Sequence, residues 1–142
     1  LCHRVIDHAA INHPERQVIT RSVEGPFHTT NYTAIRARAL KVAQRLDKDG
    51  IKLGDRVATL AWNTWRQLEA WYGIMGIGAI CHTVNPRLFP EQIVYIVNHA
   101  EDRILFVDLN LLPAIEKLRK VGRILCEIAG GKACASSVSV QP

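Results

Sequence analysis

Between Asp55 and Asp108 the chain repeats one architectural unit: a short apolar run, a polar turn, and a segment with helical spacing. Val57 to Trp62, Ala79 to Val84 and Ile104 to Val107 are continuous or nearly continuous apolar runs of strand length. Such runs suit strands buried on both faces of a parallel sheet. Between them the period becomes helical: Leu68, Trp71, Tyr72 and Met75 fall on one predicted face, and Ile93, Ile96, Val97 and Ala100 on another. Asn63 or Thr64 is placed to cap the first of these helices, and Pro90 suits a first-turn position where no amide hydrogen is needed. Parallel strands need a connection long enough to return over the sheet. The expectation is therefore an α/β fold: a partial doubly wound parallel sheet with Rossmann-like crossovers, preceded by an amino-terminal helix and β-hairpin.

That amino-terminal part is read as follows. Val5, Ile6, Ala9 and Ala10 predict a short amphipathic helix ending near Asn12 to Pro14. Gln17 to Ser22 and Phe27 to Tyr32 predict two strands flanking the turn dipeptide Gly25-Pro26. Thr33 to Lys48 predicts a helix with Ile35, Ala39, Val42, Ala43 and Leu46 on one face, ended by Gly50. After Asp108, Leu111, Leu112, Ile115 and Leu118 support a further helix, with Asn110 as cap and Pro113 near its start. Ile124 to Ile128 is compatible with a strand, but the small residues from Ala133 to Val140 carry no period, and a loosely held tail is expected.

Composition sets limits on function. At 142 residues and 48% hydrophobic content, one domain with a substantial core is expected. The net charge of +5 favours anionic partners, but the basic residues form no single block. Arg36, Arg38, Lys41 and Arg45 spread along one helix, and Lys117, Arg119, Lys120 and Arg123 form a second group. No aromatic-rich motif accompanies either, so solvated helix faces are the better reading than a nucleic-acid surface. Cys2, Cys81, Cys126 and Cys134 contain no CxxC pair, which points to a reduced, cytoplasmic protein. No apolar run reaches the roughly 20 residues that span a bilayer. His3, His8 and His13 recur every five residues, a spacing that on a helix turns each away from the last and argues against a shared metal site. The chain opens on Leu1 rather than Met, so a true amino terminus, with any targeting signal, is expected to precede it.

The motifs that suggest chemistry mostly have structural explanations. Gly73, Gly76 and Gly78 imitate a dinucleotide fingerprint, but they close a predicted helix instead of opening one, so close helix-to-strand packing explains them better. Gly130-Gly131-Lys132 is an incomplete phosphate loop, since Cys126 stands where its first glycine belongs. Ser22, Ser136, Ser137 and Ser139 are peripheral, and no serine, histidine and carboxylate grouping assembles. His82 is expected to be a satisfied core or rim histidine. Ligands of open parallel sheets gather beyond the strands' carboxyl ends, which here present Trp62-Asn63, Asn85-Pro86-Arg87 and Asp108 to Asn110. Arg87 could meet a carboxylate or phosphate there; the alternative, which we favour from sequence, has it bonded to loop carbonyls.

Four pieces, Gly54-Asp55-Arg56-Val57-Ala58, Ala61-Trp62-Asn63, Gly78-Ala79-Ile80 and Asn85-Pro86-Arg87-Leu88, occur in an order and spacing that resembles the amino-terminal part of the adenylate-forming, AMP-binding acyl-CoA synthetases. The likeness runs from about Val5 to Leu118 and is nearest to medium- and long-chain fatty-acid CoA ligases and methylthio-propionate-type CoA ligases. It implies a two-step reaction in which a carboxylate attacks the α-phosphate of Mg-ATP to give an acyl-adenylate, and coenzyme A then displaces AMP. The family's phosphate loop, nucleotide motifs and catalytic lysine have no counterpart among these residues, so no catalytic, cofactor-binding or metal-binding residue is carried over. The expectation is an amino-terminal portion of a ligase domain over residues 1–121 and an irregular tail over 122–142, inactive alone, binding no cofactor alone, and prone to self-association. Carboxylic acid, ATP, magnesium and coenzyme A would belong to the complete enzyme. The alternative is a non-catalytic α/β interaction or small-ligand-binding module.

Overall fold

Residues 2–23, 25–115 and 127–130 are described by a computed structural model. The chain divides into two units, Leu1–Gly54 with Asn63–Ile80, and Asp55–Trp62 with Cys81–Pro142. The first unit holds helix α1 (Arg4–Asn12), the strands β1 (Gln17–Arg21) and β2 (Phe27–Asn31), helix α2 (Tyr32–Lys48) and helix α3 (Trp65–Gly76). The expected hairpin forms: β1 and β2 pair antiparallel with Ile19 opposite Thr29. The chain then passes directly into α2, because Asn31 stays extended and its side chain accepts from the Ala34 amide at 2.9 Å. Ile35, Ala39 and Leu46 are buried along α2 as the spacing predicted. At its far end Gly50 adopts φ +82°, and the amides of Gly50 and Ile51 return to the carbonyls of Asp47 and Leu46. This double closure satisfies carbonyls that the helix leaves open, and the left-handed residue is the glycine the sequence placed there.

Helix α3 corrects the sequence reading. The predicted face of Leu68, Trp71, Tyr72 and Met75 is not the buried one; Trp71 is 42% exposed, while Glu69, Ala70, Gly73 and Ile74 are buried. The cause is the packing of α3 on α2. A Cβ built on Gly73 would lie 2.7 Å from Val42 Cβ and 2.8 Å from the Ala39 carbonyl oxygen, so only a glycine permits this approach. A hydropathy period scores large side chains and overlooks a seam made of small ones. The expected cap is also absent: Thr64 occupies the position before α3 with extended backbone, but its hydroxyl makes no cap bond. Trp65, the first residue of α3, instead stacks on His28 of β2, ring centroids 3.9 Å apart at 22°.

The second unit holds β3 (Arg56–Leu60), all but the first residue of β4 (Ile80–Thr83), α4 (Pro90–His99), β5 (Ile104–Val107), a 3-10 turn (Leu109–Leu111) and β6 (Glu127–Gly130). The sheet order is β4-β3-β5-β6. β3 pairs parallel with β5, Val57 opposite Ile104, and β5 pairs parallel with β6, Ile104 opposite Glu127. The core of this unit joins Ala58, Leu60, Leu105 and Val107 of the two inner strands to Val84, to Ile93 and Val97 of α4, and to Ile115. α4 begins at Pro90 as expected, and Gln92 Oε1 accepts from the Phe89 amide at 3.2 Å.

Two expectations here need correction. The run from Ala79 to Val84 was expected to be buried on both faces, yet β4 lies at a sheet edge and Ile80 is 51% exposed; only the flanking Ala79 and Val84 are buried. The segment after Asp108 begins with a 3-10 turn introduced by Asp108, whose carbonyl accepts from the Leu111 amide, instead of a helix capped by Asn110. Helical backbone follows at 112–115, and Leu118 lies outside the described residues. Of the possible strand from Ile124 to Ile128, Glu127 and Ile128 lie in β6 (Glu127–Gly130); residues 124–126 and the rest of the expected tail are outside the described residues.

Gly73→Ala should destabilise the fold by about 1–3 kcal/mol, although alanine is the better helix former by about 1 kcal/mol, because the added methyl must push α2 and α3 apart. Urea unfolding will read this as a lowered midpoint. Leu105→Ala, which leaves a hole beside the inner strand pair, should cost roughly 2–5 kcal/mol by the same measurement.

Candidate functional site

The carboxyl ends of β3, β4 and β5 gather the residues that the sequence nominated. Asp108, 8% exposed, ties two of these ends together: its Oδ2 accepts from the Trp62 amide at 2.8 Å and its own amide donates to the Leu60 carbonyl at 3.2 Å. A carboxylate so engaged is a structural acceptor that fixes the loop after β3. Trp62 Nε1 is buried with no hydrogen-bond partner among the described residues. Asn63 is exposed, and Asn110 falls in the 3-10 turn.

Beyond β4, Asn85-Pro86-Arg87-Leu88 forms a tight turn. The Leu88 amide donates to the Asn85 carbonyl at 3.2 Å, proline occupies the second position, and Asn85 Oδ1 accepts from the Arg87 amide at 2.9 Å. Leu88 packs against the core of this unit, which anchors the turn. Arg87 is left exposed, and no carbonyl among the described residues accepts from its guanidinium. The sequence-favoured reading, Arg87 bonded to loop carbonyls, therefore does not hold; asparagine and proline close the turn without it. What this rim offers chemically is one charged planar donor set, suited to a carboxylate or phosphate.

A second polar cluster went unread in the sequence. His82 Nδ1 lies 2.7 Å from Oδ2 of Asp102, whose side chain is wholly buried. The same neighbourhood contains Arg56, which donates to Glu101 at 2.8 Å, and the Arg103–Asp55 pair at 3.6 Å. Burial pushes the Asp102 carboxyl above its usual range; the hydrogen bond and charge of His82 and the charge of Arg56 pull the other way. His82 is thus the satisfied histidine the sequence suggested. Its partner stands in the link from α4 to β5, where no periodic signal marks a carboxylate as buried.

Cys81, His82 and Asp102 carry the residue types of a thiol catalyst, but the geometry opposes that role. Cys81 and His82 are successive strand residues and point to opposite faces. Burial also pushes the Cys81 thiol up to about 11, despite a hydrogen bond with Thr59, so it is protonated at neutral pH. Among the described residues no group of three or more His, Cys, Asp or Glu side chains could hold a metal ion. Nor is any helix of these residues long and apolar enough to cross a membrane. The basic face of α2 is largely occupied: Arg36 pairs with Asp7 at 2.6 Å, Arg38 with Glu69 at 2.7 Å and Arg45 with Asp49 at 2.7 Å. The second basic group, Lys117 to Arg123, lies outside the described residues, as does Gly131-Lys132.

Iodoacetamide at about pH 8 should label the exposed Cys2 well before Cys81, because the thiolate is the reactive species. Peptide mass spectrometry over time will show this order, and early labelling of Cys81 would mean that its strand opens readily.

Comparison with known proteins agrees with this architecture. The chain is 50% identical over 119 residues to a 3-methylmercaptopropionyl-CoA ligase of Ruegeria pomeroyi, covering 84% of this chain and 22% of the relative. It is 44% identical over 114 residues to a long-chain-fatty-acid–CoA ligase of Thermus thermophilus, covering 80% of this chain and 21% of that protein. The matched part is the amino-terminal part of these relatives, so the chain spans about a fifth of their length. In structure it resembles a fatty acyl CoA synthetase of Mycobacterium tuberculosis at a TM-score of 0.77 and 22% identity, covering 99% of this chain and 30% of that one. The pattern described as AMP-binding enzyme matches residues 6–137, and with these relatives it establishes that the chain belongs to the AMP-binding enzyme family.

Proposed function

We propose that this chain is the amino-terminal portion of an ATP-dependent acyl-CoA synthetase that converts a fatty or related carboxylic acid, through an acyl-adenylate, to its CoA thioester. The observation that carries this reading is the 50% identity to the 3-methylmercaptopropionyl-CoA ligase, which runs through both units of the chain. In the complete enzyme the acid, ATP with magnesium, and coenzyme A would be the partners. The two anions of the first step need stabilisation by positive groups held in place, and Arg87 on its closed turn is the side chain here best suited to hold an anionic group of a substrate. Alone, the chain lacks the rest of such a site and is inactive. The free thiols of Cys2 and Cys81 suit a reducing compartment, and we place the protein in the cytoplasm.

A chimera tests this directly. Replacing the amino-terminal 119 matched residues of the Ruegeria pomeroyi ligase with this chain's should yield an enzyme that forms CoA thioesters from ATP, coenzyme A and 3-methylmercaptopropionate. A folded chimera with no activity on that acid or on fatty acids would overturn the proposal, as would ATP-dependent pyrophosphate release by the isolated chain. Arg87→Ala in the active chimera should raise KM for one anionic substrate by about tenfold, the loss of one charge-assisted contact of roughly 1.5 kcal/mol.

The isolated chain should self-associate. Ile19, Val23 and Phe27 are all more than 60% exposed on or beside the hairpin. Light scattering at rising concentration will show growth in mass; a stable monomer that binds no hydrophobic dye would favour the free-standing binding module instead.

A further inference from the structure

Asp102 is held by backbone bonds on both sides. α4 ends with Glu101 in the left-handed region at φ +53°, and the amides of Glu101 and Asp102 return to the carbonyls of Asn98 and Val97. The next amide, of Arg103, donates to the Arg56 carbonyl of β3 at 2.8 Å. With backbone bonds on both sides, the Asp102 carboxylate cannot withdraw to water. Its Oδ2 meets His82 Nδ1 at 2.7 Å, while Oδ1 is buried with no hydrogen-bond partner among the described residues. His82 sits on β4, the edge strand, and its side chain is 25% exposed. The pair therefore joins the edge strand to the turn before β5, across β3, with one member open to solvent and the other sealed.

The charge of this site depends on how many protons the pair holds. With a neutral imidazole donating to a carboxylate, the site carries one negative charge beside a bare oxygen in a buried place. Uptake of one proton from solvent makes the pair neutral overall, whether the proton rests on the imidazole or on the carboxyl, and the 2.7 Å bond is kept in either form. We propose that His82 and Asp102 form a proton-operated latch, in which uptake of one proton fastens the edge strand β4, and the Asn85–Leu88 turn that follows it, to the turn entering β5. The other charged group facing the pair is Arg56 on β3, itself engaged by Glu101; the Cys81 thiol, on the opposite face of β4 from His82, feels the charge of Asp102, and Arg103 and Asp55 pair with each other nearby. Arg56 lessens the cost of the charge on Asp102 without cancelling it, since the carboxyl remains raised.

The direction of the pH dependence follows. A carboxyl whose folded pKa lies above its unfolded value of 3.8 stabilises the fold fully below that value, and this contribution is lost as pH rises through the folded one. Native-state hydrogen exchange of the β4 amides in the intact chain, corrected for intrinsic rates, measures the latch. Protection should rise severalfold as pH falls from neutral toward 3.8, the direction set by the raised Asp102 carboxyl. Asp102→Asn keeps an acceptor for the His82 N–H but no ionisable carboxyl, so the rise in β4 protection at low pH should be lost. Retention of the wild-type pH dependence in Asp102→Asn would overturn the latch, and so would wild-type protection that does not change with pH. Should that variant not fold, the wild-type Asp102 carboxyl carbon serves: its NMR shift must change with pH in step with the β4 amide shifts, and independent changes of the two equally reject the proposal.

Discussion

The parallel pairing of β3 with β5 is the constraint on which the rest of the sheet-bearing unit depends. It sets Val57 opposite Ile104 and Leu60 opposite Val107, and it brings Ala58, Leu60, Leu105 and Val107 into one apolar layer with α4. Both ends of this pair are closed by backbone bonds of the same kind: the Arg103 amide to Arg56 at the entry, and the Asp108 amide to Leu60 at the exit. Asp108 adds its carboxylate to the Trp62 amide. The loops at the carboxyl edge are therefore held by the ladder itself, which is the condition for presenting a charged side chain at a defined place.

What could be read from the sequence and what could not divides along physical lines. The bounds of β5 and the start of α4 are marked by local chemistry, a polar residue after Val107 and a proline at the first turn, and both are found where expected. Gly50 is legible because a left-handed glycine suits the end of a helix. The buried face of α3 is illegible because Trp71 and Tyr72 dominate any hydropathy average, whereas the actual contact is made by Gly73 and Ala70 against α2. β4 has the composition of a central strand, and nothing in its own residues shows that the sheet order leaves it at an edge.

The candidate site follows the same division. The carboxyl-edge segments are found from strand order and length alone, but whether Arg87 is free depends on how its turn closes, a matter decided by Asn85 Oδ1. The His82–Asp102 contact was out of reach for a different reason. The two residues are twenty positions apart on different elements, and the buried carboxylate follows directly on Glu101, the non-glycine left-handed residue just after α4. Family membership supplies what local chemistry does not, since the side chains of the described residues show chiefly scaffold and, at the carboxyl edge, the exposed Arg87.

The spatial order β4-β3-β5-β6 also bears on how the chain is made. During synthesis from the amino end, β3 emerges first and acquires β4, the next strand, on one side only. Its other edge must wait for α4 and β5 to follow, with open amide and carbonyl groups and the apolar side chains of Val57, Ala58 and Leu60 uncovered. β3 is therefore the segment of the nascent chain most in need of shelter, and its vulnerability ends only when Ile104–Val107 has left the ribosome.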